Sequence, residues 1–300
     1  MQPIQRLSVW DFLHPRKTEI EARQLLAPKV DLSPYLLPEG HVHIAFSGGR
    51  TSAFMLHQIL EANGDLPDRC EVSFQNTGRE MPQTYDFVAE VGRRWGVEIT
   101  WLEYRPDKPL FEVVGYQGAS RNGEPFDALI AKKKALPNQA QKWCSAQLKS
   151  LTAKRYLVAK GWKTWSNFIG FRADEPHRNA FQDNRARAIL PLRVAGVSRH
   201  HVIAFWQRQP FDLSLPVVNG RTIGGNCDGC FLQSEATIAA LSRDHPARAS
   251  WWEKHENNVG HTFSKRFSRR ELRKFMERQG DWALSTEGAL CQKNEGECTE

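Results

Sequence analysis

Residues 43–56 have the sequence HIAFSGGRTSAFML and pass from an apolar strand through Ser-Gly-Gly directly into a helix. A Gly-rich turn at such a junction points several backbone N–H groups at one place, and the helix macrodipole adds partial positive charge there. Glycines permit close approach and positive φ, and hydroxyl or guanidinium groups add donors for an anion. The residues with these properties are Ser47, Gly48, Gly49, Arg50, Thr51 and Ser52. The stretch therefore predicts a phosphate-binding loop, and the alternative is a turn that binds nothing.

The segments around this loop alternate between strand-like and helix-like patterns. Apolar runs at 42–46, 70–74 and 97–102 are separated by amphipathic segments at 52–63 and 82–95. Such alternation is typical of βαβ units in a parallel sheet, and these sheets bind ligands outside the carboxyl ends of their strands. The loop is neither G-x-x-x-x-G-K-[ST] nor G-x-G-x-x-G, so it differs from the two commonest nucleotide-binding loops.

The rest of the chain continues this pattern and then becomes less regular. Helical spacing at 142–160, a strand within TWSNFIGFR and a helix from Ser198 to Gln207 extend the α/β part, with Ser198 as the predicted N-cap. After residue 211 come prolines, a Cys-x-x-Cys and basic helices over 235–277. We predict an N-terminal arm over 1–40 with a short helix at 17–26, a nucleotide-binding domain over 41–210, and an elaboration packed on it over 211–300.

Composition limits the class of protein. The 300 residues carry a formal net charge of +7, which suits anionic ligands such as nucleotides. The first residues lack the apolar core of a signal peptide, and no window is apolar over the roughly 18 residues that span a bilayer. We therefore expect a cytoplasmic protein without a membrane partner, whose cysteines are reduced and bind metal, react or lie buried. Basic residues over 264–274 predict an exposed amphipathic helix, with nucleic-acid contact as the alternative.

Five segments resemble the phosphoadenosine phosphosulfate (PAPS) reductase family and the related N-type ATP pyrophosphatases. SGGRTS resembles their S-G-G-x-x-S loop, the PP-loop. The other four are, in chain order, SFQNTGREMPQT, KWCSAQLKSLTAKRY, IGFRADEPHR and PLRVAGVSRHHVIAFW. The resemblance implies an adenine nucleotide alpha hydrolase-like fold, which is a Rossmann-like α/β architecture. Its open, mostly parallel sheet has helices on both faces, and here a C-terminal cysteine-containing helical elaboration follows.

The resemblance also implies roles for residues around an adenine nucleotide, either ATP or a sulfonucleotide such as PAPS or adenosine phosphosulfate (APS). Besides the loop, the nucleotide would contact Asn76, Thr77, Gly78, Glu80, Lys149, Gly170 and Arg178, while Arg172 and Glu175 would act in catalysis. The pyrophosphatases usually carry Lys-Asp where this chain has Arg50-Thr51. The missing acid weakens the case for Mg²⁺ at this loop, and Mg²⁺ stays open as a further ligand.

The cysteines predict a metal centre. Cys227 and Cys230 lie in GGNCDGCF, a Gly-rich loop that lets two thiolates converge on one metal or cluster; a redox pair or an incomplete Zn site has the same spacing. The resemblance adds Cys144, because the family's iron–sulfur members hold a [4Fe–4S] cluster through a cysteine in this segment and a later Cys-x-x-Cys. The fourth ligand would be Cys291, Cys298 or no protein group, and zinc or no metal are the alternatives to the cluster.

Three functional hypotheses follow from the resemblance. In a reductase, a thiolate attacks the sulfonucleotide sulfur and a thioredoxin-like reductant releases sulfite. The candidate nucleophile is Cys298 in GECTE, which matches two residues of the reductases' Glu-Cys-Gly tail. In a thiolation enzyme, ATP adenylates tRNA or DNA, and sulfur from a donor such as a cysteine desulfurase displaces AMP. The third hypothesis is a non-catalytic sensor that binds the nucleotide or the cluster.

Overall fold

A computed structural model describes residues 31–180, 183–218, 221–225 and 227–279. The chain divides into two compact units, Met1–Leu32 and Ser33–Glu300, and every element named below belongs to the second. The predicted helix at 17–26 and the tail cysteines Cys291 and Cys298 lie outside the described residues. The predicted domain boundaries near residues 40 and 210 stay predictions.

One sheet of six strands forms the centre of the second unit. The strands are β1 (Val42–Ala45), β2 (Cys70–Asn76), β3 (Ile99–Tyr104), β4 (Phe111–Val114), β5 (Trp165–Phe168) and β6 (Ala186–Ile189). Their order is β4-β3-β2-β1-β5-β6. All neighbouring pairs are parallel except β3 and β4, which run antiparallel. The predicted open, mostly parallel sheet is confirmed.

Helices cover both faces of this sheet. In the described part, the helices of eight or more residues are α1 (Arg50–Asn63), α2 (Pro82–Trp95), α3 (Glu124–Lys133), α4 (Leu151–Ala159), α5 (Arg199–Trp206), α6 (Glu235–Asp244), α7 (Pro246–Val259) and α8 (Arg269–Gln279). From β1 the chain passes through α1 to β2 and through α2 to β3. After β4 it returns through α4 to β5, on the other side of β1. Because such crossovers are right-handed, α1 and α2 lie on one face and α4 on the other.

The strand order reverses between β1 and β5. The chain leaves β1 toward β2 and later returns to β5, which pairs with the opposite edge of β1. In open α/β sheets the crevice at this switch point is the usual place for a ligand. The two loops that border it are residues 46–49 after β1 and residues 169–172 after β5.

The buried strand β1 carries an uncharged polar network beneath the phosphate loop. His43 is 3% exposed; its Nδ1 lies 2.7 Å from Asn167 Oδ1 and its Nε2 lies 2.7 Å from Ser73 Oγ. Burial lowers the pKa of His43 to about 4. The imidazole is therefore neutral at neutral pH, and its hydrogen bonds satisfy both ring nitrogens.

The segment predicted as one helix over 142–160 is divided in the structure. A single helical turn at Trp143–Ser145 is followed by a π-helical turn at Ala146–Ser150, and only then by α4. Hydrogen bonds of the i→i+5 type widen the helix locally, and such π turns often occur at functional sites. Cys144 and Lys149 lie in these two irregular turns.

The C-terminal part shares a hydrophobic core with the sheet domain. Beyond a short hairpin of β7 (Val217–Val218) and β8 (Arg221–Thr222), side chains from α6 and α7 pack with side chains from β3 and α3. The buried residues of this core, called the shared core below, are Tyr104, Phe126, Leu129, Ile130, Leu136, Leu148, Phe231, Leu232, Leu241, Trp252 and Phe263. Among the described residues, no helix has both the length and the apolarity needed to cross a membrane.

Candidate functional site

The phosphate loop places the start of α1 at the switch point. Gly49 is the N-cap of α1, and no side chain caps the helix, so its first N–H groups can serve an anion. Gly48 has φ +77°, and a Cβ there would lie 2.8 Å from Thr84 Cγ2. The Ser47 and Ser52 hydroxyl oxygens are 2.9 Å apart. This geometry agrees with a backbone-built anion site, and it requires glycine at position 48.

The Arg50 guanidinium is turned away from the role that the sequence predicted for it. Its Nε donates to Asp212 Oδ1 at 2.6 Å, its Nη2 forms an ion pair with Asp212 Oδ2, and its Nη1 donates to Thr222 Oγ1 at 3.0 Å. Its backbone carbonyl accepts from Trp206 Nε1 at 2.9 Å. We predicted a charge-assisted fork toward phosphate; instead Asp212 occupies the fork and joins α1 to the segment after α5. Asp212 was not predicted, because only the folded chain places it beside the loop.

The loop after β5 forms the other wall of the crevice. A Cβ on Gly170 would lie 3.4 Å from Ser52 Cα, so the two loops are in close contact. Arg172, which is 3% exposed, donates from Nη1 to Thr51 Oγ1 at 3.2 Å. Glu175 accepts from the backbone N–H of Arg172 at 3.0 Å and from Arg178 Nη1 at 2.8 Å. The structure thus brings the predicted residues of the two segments together.

The loop after β2 is fixed by buried hydrogen bonds. Asn76 Nδ2 donates to Glu103 Oε1 at 2.7 Å, and its Oδ1 accepts from the Gly78 N–H at 2.9 Å. Gly78 has φ +79°, and an added Cβ would lie 2.9 Å from Gly123 Cα. Asn76 and Gly78 therefore fix the conformation of the loop. Glu103 is a buried hydrogen-bond partner that the motif alone did not indicate.

Thr77 connects this loop to the cysteines. Its hydroxyl donates to Glu80 Oε1 at 2.7 Å, and its Oγ1 lies 3.3 Å from Cys227 Sγ. Glu80 is 4% exposed and also accepts from the Thr77 N–H at 3.1 Å. Predicted nucleotide-loop and metal-site residues are consequently in direct contact.

A buried charge cluster holds the Cys-x-x-Cys loop in place. Asp228, between the two cysteines, accepts from Arg79 Nη2 at 2.6 Å, from Arg248 Nε at 2.5 Å and from Trp252 Nε1 at 2.8 Å. The Asp228 side chain is fully buried, and that of Arg79 is 3% exposed. Sequence reasoning missed this cluster, although charged residues inside both motifs (CDGC and TGRE) were a signal that could have pointed to it.

The three described cysteines of the predicted centre share one environment. Cys144, Cys227 and Cys230 all pack against the shared core. Burial raises the pKa of each thiol, that of Cys144 to about 12, and the Lys149 ammonium opposes the rise in all three. Thiolates in such a place need compensating positive charge, and a metal would supply it.

The donor set fits a sulfur-ligated metal centre better than an oxygen-ligated one. Three thiols with one lysine match the preference of zinc and iron–sulfur clusters for thiolate. As the side chains are oriented, no group of three or more His, Cys, Asp or Glu among the described residues stands in metal-holding geometry. The predicted fourth ligands, Cys291 and Cys298, are outside the described part.

The fold and the site define an α/β protein with a Gly-rich strand-to-helix loop at the switch point and cysteines that contact the loop after β2. Residues 41–188 match the family model of the phosphoadenosine phosphosulfate reductase domain. The chain is 30% identical, over 210 residues, to the uncharacterized nin region protein ORF290 of Escherichia phage lambda, covering 67% of this chain and 69% of that protein. The chain belongs to the PAPS reductase domain family.

More distant similarities were found as well. An uncharacterized protein of Methanocaldococcus jannaschii, MJ0066, is 25% identical over 72% of this chain, which spans only 41% of that protein. Among solved structures, PAPS reductase from Candida auris in a phosphate complex aligns with a TM-score of 0.38 and 19% identity, over 68% of this chain and 87% of that one. The U34-tRNA thiolase NcsA from Methanococcus maripaludis, with its [4Fe-4S] cluster, aligns with a TM-score of 0.37 and 16% identity, over 83% and 80%.

Proposed function

We propose that this protein is an enzyme that binds an adenine nucleotide at the switch-point crevice and carries out sulfur chemistry at the adjoining cysteine site. The observation that carries the proposal is the 3.3 Å contact between Thr77 Oγ1 and Cys227 Sγ. It joins the family's second nucleotide segment to the Cys-x-x-Cys loop. A substrate bound across the crevice would have its reactive end near the thiols.

The residues of the crevice have different roles in binding the nucleotide. The uncapped start of α1 binds phosphate through backbone N–H groups. Arg172 holds the Thr51 hydroxyl and orients the loop, and Glu175 fixes Arg172 and Arg178. These contacts orient the bound nucleotide toward the cysteines.

Cys144, Cys227 and Cys230 would hold the metal centre. A [4Fe–4S] cluster there would supply a site that binds sulfur and transfers electrons, and zinc is the alternative. Lys149 stabilises the thiolate forms of the three ligands through its charge. The surrounding apolar core excludes water, which strengthens every electrostatic interaction inside the site.

Two reactions fit this arrangement. In the reductase reaction, a thiolate, with Cys298 as candidate, attacks the sulfonucleotide sulfur and displaces the nucleotide phosphate; a thioredoxin-like dithiol then releases sulfite and becomes a disulfide. In the thiolation reaction, an acceptor oxygen on tRNA or DNA attacks ATP with loss of pyrophosphate, and sulfur from a donor enzyme such as a cysteine desulfurase displaces AMP. In the thiolation reaction the usual acid is missing from the loop, and the nearby carboxylate of Asp212 pairs through both oxygens with Arg50. A Mg²⁺ ion would belong to this reaction.

Equilibrium dialysis with radiolabelled ATP and PAPS tests the nucleotide site. We expect the wild-type chain to bind at least one of them, and the Gly170→Val variant to lose at least tenfold in affinity because the added side chain fills the crevice. Gly115→Val is the matched control, since a Cβ at Gly115 would meet nothing within 4 Å. Wild-type protein that binds neither nucleotide, or a Gly170→Val variant that binds as well as Gly115→Val, would overturn the proposal.

Product analysis then separates the reactions. Pyrophosphate release from ATP in the presence of bulk tRNA or DNA identifies the thiolation enzyme, and sulfite release from PAPS or APS with a reduced thioredoxin identifies the reductase. Tight binding of AMP without turnover of any of these substrates would show a non-catalytic sensor.

A further inference from the structure

Arg269 is a buried cation at the first residue of α8. The residue is 5% exposed, and its Nη2 donates to the carbonyl oxygen of Gly229 at 2.5 Å. Gly229 directly precedes Cys230 in the Cys-x-x-Cys loop. The C-terminal helix therefore contacts the backbone that positions a predicted metal ligand.

The charge of Arg269 is not balanced in the way that its neighbours are balanced. Arg79 and Arg248 share the carboxylate of Asp228, whereas Arg269 forms no ion pair with any Asp or Glu of the described residues. Its Nε and Nη1 have no hydrogen-bond partner. Glu256, a nearby carboxylate, uses its oxygens for the backbone N–H groups of Phe263 and Arg269, at 3.0 and 2.6 Å.

The surroundings of the guanidinium are aromatic. Its central carbon lies 5.4 Å from the ring centre of Trp252 and 5.8 Å from that of Phe263. Cation–π contacts return part of the lost hydration, yet an unpaired buried charge remains costly. Buried Glu256 offsets part of this charge without a direct ion pair, and an anion at the cysteine loop would offset more of it.

Thiolate ligands are anions of the right kind in the right place. Through its hydrogen bond to the Gly229 carbonyl, Arg269 lies next to the backbone of Cys230. Its guanidinium interacts electrostatically first with Glu256 and then with Cys230. A thiol that binds metal must give up its proton. A centre held by three thiolates carries more negative charge than neutral thiols do. In the loaded protein Arg269 would then have negative charge at the cysteine loop in addition to that of Glu256.

We propose that Arg269 is a positioning and charge-balancing residue of the metal centre, holding the Gly229 carbonyl while its guanidinium compensates the thiolates of the Cys-x-x-Cys loop. This inference rests on the proposed function, because it requires a metal or cluster at the cysteines. It also gives α8 a role: the C-terminal helix supplies the cation. Partners of this kind outside the ligands typically change metal affinity by about 10–100-fold when removed.

The test compares Arg269→Met with Arg270→Met, an exposed neighbour on the same helix. Both variants are prepared without air, and iron, zinc and acid-labile sulfide are measured per chain before and during competition with a chelator. We expect Arg269→Met to lose metal at a chelator concentration at least tenfold lower than wild type, and Arg270→Met to match wild type. Arg269→Lys keeps the charge and should fall between them.

Thermal unfolding of the metal-free and loaded proteins separates charge balance from plain packing. Arg269→Met should leave the metal-free protein close to wild type in Tm, because an unpaired buried charge is removed along with one hydrogen bond, and should reduce the rise in Tm that metal produces. An equal loss of Tm in both forms, or an unchanged chelator response, overturns the inference. If Arg269→Met does not fold, the Tm values of the metal-free and loaded forms are compared for Arg269→Lys and Arg269→Gln instead.

The result is distinguishable from failure of the proposed function. Wild-type protein that binds neither iron nor zinc overturns both proposals. Wild-type protein that binds metal, together with an Arg269→Met variant that binds it equally well, overturns only the role of Arg269. Inorganic sulfate that raises the Tm of the metal-free wild type but not of Arg269→Met would assign the guanidinium to a free anion, and this also overturns the inference.

Discussion

The phosphate loop follows β1, the cysteine site contacts the loop after the neighbouring strand β2, and the two are built in opposite ways. The phosphate loop is one continuous stretch of sequence that relies on backbone geometry, and its single cation, Arg50, is paired with Asp212. The cysteine site gathers residues from three distant segments around a buried charge cluster centred on Asp228. A continuous site can tolerate the loss of a side chain that an assembled site cannot.

The largest expected effect is therefore at Asp228. Asp228→Asn leaves the buried Arg79 and the partly buried Arg248 without their carboxylate. Breaking a buried pair from one side costs about 3–5 kcal/mol. The free energy of unfolding in urea should fall by this amount in the metal-free protein. Asp244→Asn is the control, because Asp244 pairs with Arg243 at a site where both side chains are about half exposed. Equal effects of the two substitutions would contradict the assigned difference between the sites.

Glycine geometry is the corresponding weak point of the phosphate loop. Gly48→Ala and Gly260→Ala both place a Cβ at positive φ, +77° and +72°, but only at Gly48 does the Cβ meet neighbours, with Thr84 Cγ2 at 2.8 Å. The strained φ costs about 1–2 kcal/mol at either position, and overpacking adds about 1–3 kcal/mol at Gly48. Urea unfolding and ATP dialysis measure both consequences: Gly48→Ala should be the less stable variant and should bind nucleotide more weakly. Equal stability of the two variants would show that the loop is not tightly packed.

The strand that leads to the loop should respond to pH. His43 has a folded pKa of about 4 against about 6.5 unfolded, so the unfolded chain takes up a proton first as pH falls. Stability from the neutral imidazole is present in full above the unfolded pKa and is lost as pH falls toward the folded pKa. Between pH 7 and pH 5 the loss is about 2 kcal/mol. Urea unfolding of wild type and His43→Gln at both pH values checks this; the variant should lack this share of the pH dependence, and identical slopes would contradict the buried neutral histidine.

The smallest expected effect concerns the Arg50 and Asp212 pair. Because Asp212 is 38% exposed, solvent screens the pair, and we expect a coupling free energy of about 1 kcal/mol. A double-mutant cycle of Arg50→Gln and Asp212→Asn measures it. Additive effects of the two substitutions would mean that the guanidinium is free for another partner, as the sequence first suggested.

The comparison also explains how much the sequence could predict. The loop, the alternation of strands and helices around it and the residues of the family segments are local patterns. The structure brings Gly170, Arg172 and Thr51 together as expected from parallel strand ends. The predicted direction of the Arg50 side chain, toward phosphate, differs from the observed one. Its partner Asp212 lies 162 positions away, so no local pattern could indicate it. Helical spacing alone could not reveal the π turn that holds Lys149. Asp228, Arg248 and Arg269 were missed for the same reason: a buried charge is assigned a partner only when the fold is known.

The central claim is that one metal centre joins Cys144, Cys227 and Cys230 beside the nucleotide crevice. Metal analysis of anaerobically prepared protein tests it most directly, with alanine at each of these cysteines in turn and Cys70→Ala as the control. Cys70 is the first residue of β2, at the end of the strand opposite the loop that carries Thr77. We predict that iron with acid-labile sulfide, or zinc, is bound by wild type and by Cys70→Ala and is lost in all three other variants. Wild-type protein without metal, or metal content that survives any of the three substitutions unchanged, would contradict the account.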